Sequence, residues 1–161
     1  MRQQIATLIV SLALLVGCGG QGSGNQQQAG NQDAKDESGL TQFEITNGIG
    51  PITEAIEIGE IDSAKVEQGA QIFETKCSAC HKMNERYVGP ALGDILETRT
   101  PAYVMNMVLN PAEMVKKHPE AKKMLQEYMT PMPNQNLQQD EARAIVEYLA
   151  SVENEEVSAT Q

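Results

Sequence analysis

The chain contains no Trp, and two Phe and four Tyr are its only aromatic residues among 161. A domain this poor in large rings often needs something besides side chains to fill its core. Basic residues are also short: 12 Lys and Arg stand against 22 Asp and Glu, a net charge of −10. Nucleic acid requires a basic face, so that class of partner is excluded. The acidic balance suits a soluble face that meets positively charged partners. Strand-like alternation and any βαβ pattern are missing, which excludes a doubly wound sheet. The length allows one domain with attachments.

What is present begins with a short apolar run, residues 5–16, IATLIVSLALLV, after a single Arg2. It is too short to span a bilayer as a helix and fits the h-region of an export signal. The run ends in LVGC, Leu15 to Cys18, which resembles the lipobox of bacterial lipoproteins. That resemblance implies a signal peptide over 1–17 and a lipidated Cys18 at the mature N-terminus. Several acyl chains hold a protein firmly, at about 0.8 kcal/mol per buried CH₂. Gly19 follows where the best-known sorting rule places Asp for inner-membrane retention, so by resemblance the outer membrane is favoured. The rule does not hold in all bacteria, and both membranes stay open. Residues 19–39 contain no Val, Ile, Leu or Phe. Residues 18–39 therefore read as a lipid anchor and flexible linker, with a reach of about 25 Å. Residues 40–62 carry hydrophobics and the turn signal NGIGP. They are expected to form an extended arm of no assignable role.

From Ser63 the text becomes helical. Asp62 or Ser63 can cap. Val66, Gly69, Phe73, Cys77 and Cys80 then recur on one stripe. Thr100-Pro101 reads as a cap followed by Pro at the first helical position. Asn110-Pro111-Ala112-Glu113 repeats the signal as a capping box, and a short helix should run from Pro119 to about Tyr128. Ala142, Ile145, Val146, Leu149 and Val152 give the last helix an i, i+3, i+4, i+7, i+10 stripe. The expectation is an all-α domain over residues 63–152, followed by an acidic tail, 153–161.

Residues 77–81 read CSACH. Three chemistries use such a cluster. A redox thiol pair needs its C-x-x-C at the start of a helix that follows a strand, whereas this one ends a helix in an all-helical chain. A zinc ion would need Cys77, Cys80, His81 and His118 together, yet adjacent Cys80 and His81 diverge on a helix. Covalent haem attachment uses C-x-x-C-H. One helical turn separates the thiols by the distance between neighbouring porphyrin vinyl groups, and the next residue, His81, projects over the ring centre as an iron ligand. Export favours this reading, as does the cysteine count: one for lipid, two for haem, none left for a disulfide.

With these residues the chain resembles the class I cytochromes c from about Val66 to Val152. The resemblance implies a cytochrome c fold of four to five short helices wrapped around one covalently bound haem c. It implies that Gly69 and Phe73 cross the C-terminal helix against Tyr148. In VGPAL, Val88 to Leu92, it implies that the Pro90 carbonyl accepts a hydrogen bond from His81 and that Leu92 packs on the haem. The stretch YMTPMPNQNL lies where the family places its ligand loop, and Met132-Pro133 resembles the ligand context. Met132 is therefore the expected sixth ligand, with Met129 second. His118-Pro119 is expected to begin a helix at the surface. Arg99 has two open readings, a partner for a haem propionate or a solvated cation.

A His/Met-ligated iron is saturated, which suits electron transfer and not catalysis. The expected function is thus a membrane-tethered one-electron carrier between redox protein partners. A longer pattern, from NGIGP through RTPAYVMNMVLNP to HPEAKKML and MPNQNL, resembles cytochromes that accompany bacterial respiratory reductases, nitrous-oxide reductase among them. The rival classes are a haem enzyme and a sensor of diatomic gases, both of which need an open or displaceable distal ligand.

Overall fold

The computed structural model describes residues 35–159, with backbone only for 153–159. The expected signal peptide, Cys18, the linker up to residue 34 and the side chains of the acidic tail lie outside the described residues. Among the described residues seven α-helices and one π turn follow in order: α1 Gln42–Asn47, α2 Ser63–Ile72, the π turn Phe73–Cys77, α3 Ile95–Thr98, α4 Pro101–Leu109, α5 Pro111–Lys117, α6 Pro119–Tyr128 and α7 Gln139–Ala159. The described residues form no named strand, only one isolated bridge between Lys35 and Thr41. The fold is all-α, and α1 and the four-residue α3 add to the four or five helices expected.

Local signals account for most helix starts. The Asp62 carboxylate accepts from the Ala64 N–H at 2.9 Å and caps α2. Thr100 Oγ1 accepts from the Tyr103 N–H at 3.1 Å, and Pro101 opens α4. The capping box expected at Asn110–Glu113 does not form. The Asn110 amide instead donates to the Ile49 carbonyl at 3.1 Å, and Glu113 pairs with Lys116 and Lys117. A tertiary acceptor outcompetes the local cap.

The scaffold is the crossing of α2 and α7. A Cβ on Gly69 would collide with the Ala144 carbonyl, so only Gly lets the two backbones approach this closely. One turn on, Phe73 packs against Tyr148 with ring centroids 5.6 Å apart. The buried stripe of α7, including Ala142, Ile145, Val146 and Leu149, joins Ile72, Phe73, Val104 and Val108 in the main core.

Residues 40–62 depart from the expected extended arm. Thr41 and Glu44 form a reciprocal capping box that nucleates α1: Glu44 N–H donates to Thr41 Oγ1 at 3.2 Å and Thr41 N–H to the Glu44 carboxylate at 2.8 Å. The chain then crosses the α4–α6 side as a strap. The buried Asn106 clamps it, taking the Ile52 N–H on its Oδ1 at 3.0 Å and donating to the Asn47 and Ile52 carbonyls at 3.0 Å each. A Cβ on Gly50 would collide with that Asn106 amide. Met114 Sδ accepts the Ile49 N–H at 3.0 Å, and His118 Nε2–H donates to the Ile45 carbonyl at 3.0 Å. His118 is therefore buried, only 1% exposed, and not at the surface. Farther on, Arg143 donates to the Glu57 carbonyl at 3.2 Å, and Ile56 and Ile58 pack on the main core.

Candidate cofactor site

The π turn Phe73–Cys77 closes with the Ser78 N–H donating to the Phe73 carbonyl at 2.9 Å. Such i→i−5 turns concentrate at functional sites, where they re-aim side chains at a helix end. The next turn tightens further, since the N–H groups of Cys80 and His81 both donate to the Cys77 carbonyl, at 3.0 and 2.9 Å. Cys77, Cys80 and His81 all line one cleft.

The loop after the motif folds back on it. Gly89 N–H donates to the Cys80 carbonyl at 2.8 Å, and Leu92 N–H to the Lys82 carbonyl at 3.0 Å. This return brings the Pro90 carbonyl to 2.9 Å from His81 Nδ1. With Nδ1–H donating there, Nε2 keeps its lone pair for a metal, and the acceptor raises its basicity. A Cβ on Gly89 would stand 2.5 Å from His81 Cε1, so the ring occupies a notch that only Gly leaves open.

The cleft, open to solvent at one side, spans about 1130 Å³ of space not filled by protein atoms. Phe73, Val104, Val108, Ile145 and Leu149 of the main core form one part of its wall, joined by Pro90 and Leu92 from the return loop. Another part comes from α6 and the loop beyond it, where Ala121, Met124, Leu125, Tyr128 and Met132 line the space. The i, i+3, i+4, i+7 spacing of the four α6 residues was a readable signal for this wall. Met132 is half-buried and packs against the core. Met129, by contrast, is 81% exposed, sits at the left-handed C-cap of α6 with φ 55°, and does not line the cleft. Met107 lines the cleft from the inner face of α4, as its spacing with Val104 and Val108 predicts, whereas sequence reading missed Tyr103 of the same helix. Arg99 lines the cleft too, with its guanidinium 5.2 Å from the Tyr103 ring centroid and 3.5 Å from the Glu120 carboxylate.

Electrostatics separates the three chemistries. Burial pushes the Cys77 thiol up to about 11. A redox dithiol works through a thiolate with a lowered pKa, and this environment does the opposite. Among the described residues no three His, Cys, Asp or Glu side chains gather as a metal-holding group, and His118 is engaged with Ile45. What remains is a large apolar cleft with two thiols one turn apart, an imidazole held in one tautomer beside them, and a thioether also on its wall. That donor set fits haem.

The cytochrome c family model matches residues 66–153. The chain belongs to the cytochrome c family. Among solved structures it is similar to cytochrome c from Rhodothermus marinus, at 44% identity and a TM-score of 0.66, over 70% of this chain and 97% of that one. It is similar also to an engineered cytochrome c from the same organism, Rma TDE, at 44% identity and a TM-score of 0.65, over 69% of this chain and 96% of that one. The same engineered protein bound to a carbene intermediate matches at 44% identity and a TM-score of 0.62, over 69% and 96% of the two chains. No match is found among curated proteins. The cytochrome c family carries haem c attached through Cys residues, and Cys77 and Cys80 are present for that attachment. Family and fold support an electron-carrier role.

Proposed function

We propose that the protein is a lipid-tethered, monohaem electron shuttle. Cys77 and Cys80 would hold the haem, His81 and Met132 would ligate its iron, Pro90 would fix the His81 tautomer, and Leu92 would pack against the group. Haem iron supplies reversible one-electron chemistry; the residues around it bind, orient and keep water out. The observation that carries this reading is that His81, locked by Pro90, and Met132 line one apolar cleft. Thioether and imidazole ligation together would raise the potential relative to two imidazoles.

Cys18, lipidated after export, would hold the domain at a periplasm-facing membrane surface, and the linker would let it reach both donor and acceptor. A tether of this kind raises local concentration without new contacts. The net charge of −10 favours encounters with basic partner faces. The resemblance of the wider sequence to cytochromes that accompany respiratory reductases supports an acceptor of that class, with nitrous-oxide reductase the example to test first.

Carbon monoxide tests the ligand set. The ferrous protein should not bind it rapidly near neutral pH, whereas Met132→Ala should. Fast, complete binding by the unaltered protein would favour the second reading, a haem enzyme or gas sensor with a displaceable distal ligand. One observation motivates keeping that reading: a relative's engineered form holds a carbene intermediate.

A further inference from the structure

Residues 130–137, which carry Met132, receive little support from the main chain. Among the described residues no backbone-to-backbone hydrogen bond reaches them. Two bonds within the segment are local: Gln135 Nε2–H donates to the Pro133 carbonyl at 3.3 Å, and Asn136 N–H to Asn134 Oδ1 at 2.8 Å. At each end the chain turns through a left-handed residue, Met129 with φ 55° and Asn136 with φ 53°. Residues other than Gly seldom turn this way.

Two cations reach this stretch from the side of the cleft that carries CSACH. Lys76, in the π turn, donates to the Gln135 carbonyl at 3.3 Å. Arg86 stands on the return loop, which backbone bonds pin to Cys80 and Lys82. Its guanidinium makes three contacts at the end of α6, just before Met129. It donates to the Glu127 carboxylate at 2.9 Å and to the Glu127 carbonyl at 3.0 Å, and lies 4.1 Å over the Tyr128 ring. Tyr128 lines the cleft. The Glu127 carbonyl belongs to the last turn of α6, where carbonyls lack partners within the helix. Lys could not fill this place, having neither the planar fork nor a face that stacks. The Arg86–Glu127 pair is exposed, and an exposed ion pair contributes little by itself. What matters is placement: one cation fastens each end of the Met132 stretch to the CSACH side.

We propose that Arg86 and Lys76 are positioning residues that clamp the Met132 segment over the cleft. Opening of that segment, between Met129 and Asn136, is then the route by which a small neutral ligand such as carbon monoxide enters. This rests on the reading that Met132 ligates the haem iron.

The test uses the haem-loaded full chain, its haem confirmed by mass. Two quantities are followed: the rate of carbon monoxide binding to the ferrous protein, and amide exchange over residues 125–138. Arg86→Gln should speed the slow binding by about three- to tenfold and Lys76→Gln by about two- to fivefold, the scale expected for loss of exposed charged contacts. Both should speed exchange within residues 130–137. Arg86→Lys should recover only part of the loss. The two cations hold different ends, so their factors should multiply in the double variant. Asn106→Ala is the control. It loosens the strap and lies outside the cleft lining, so it should leave both quantities unchanged. Unchanged rates in both single variants, or an equal rise in Asn106→Ala, would overturn the clamp and leave Met132 standing as the ligand. Rapid, complete binding by the unaltered protein, or an unaltered rate in Met132→Ala, would overturn the ligand assignment and the clamp with it.

Discussion

At the scale of single residues, the site depends on atoms that are missing as much as on those present. Gly89 leaves the notch that the His81 ring fills. Gly89→Ala should lower the stability of the haem-loaded protein by about 1–3 kcal/mol, as overpacked sites do, measured by chemical denaturation. Gly59 has nothing within contact of an added Cβ, so Gly59→Ala should stay near the wild-type midpoint. Met129 gives the complementary case. Its left-handed φ of 55° is unfavourable for a side chain, and it is exposed. Met129→Gly should leave the visible spectrum unchanged and raise stability by up to about 1 kcal/mol. Loss of the native spectrum in that variant would show that Met129, not Met132, reaches the iron.

At the scale of elements, two contacts organise the fold, and they differ in kind. The α2–α7 crossing is steric. Gly69→Ala would push against the Ala144 carbonyl and should cost about 1–3 kcal/mol, with the Phe73–Tyr148 contact disturbed beside it. The strap is polar, and Asn106 is its clamp. Asn106→Ala would remove the partner of the Ile52 N–H and of the Asn47, Gly48 and Ile52 carbonyls in a buried setting, a loss of about 3 kcal/mol. Replacing Lys65, whose ion pair with Asp62 is exposed, should cost under about 1 kcal/mol. Denaturant midpoints for these variants would rank them; equal effects for Asn106 and Lys65 would mean the strap contributes little.

At the scale of the molecule, the proposed function joins a folded haem domain to a membrane through the segment that precedes it. Cys18→Ser, which removes the sulfur proposed to carry the lipid, should on that proposal move the protein from the membrane to the soluble fraction. It should also slow electron delivery to a membrane-bound acceptor while leaving the potential unchanged. The rate of reaction with a partner should fall as ionic strength rises, because exposed charges are screened beyond about 10 Å at 0.1 M salt. A rate indifferent to salt would remove the acidic surface from the recognition.

What the sequence determined by itself was local in origin. The CSACH spacing, the caps at Asp62 and Thr100, and the stripe of α7 each involve residues within a few turns of one another, so periodicity and motif spacing could expose them. The Thr41–Glu44 capping box was equally local and readable, and it marks α1. Tertiary structure decided the contacts between distant parts of the chain. Asn106 meets its strap 54 residues away, and His118 meets Ile45 at a separation of 73; no local pattern encodes such pairs. The same reason explains why Asn110 abandons its expected cap for Ile49, why His118 is buried, and why Met132 and not Met129 lines the cleft. Helical periods report which face of an element is apolar. Only the packed chain shows which buried polar atoms find partners, as Asn106 does across the strap.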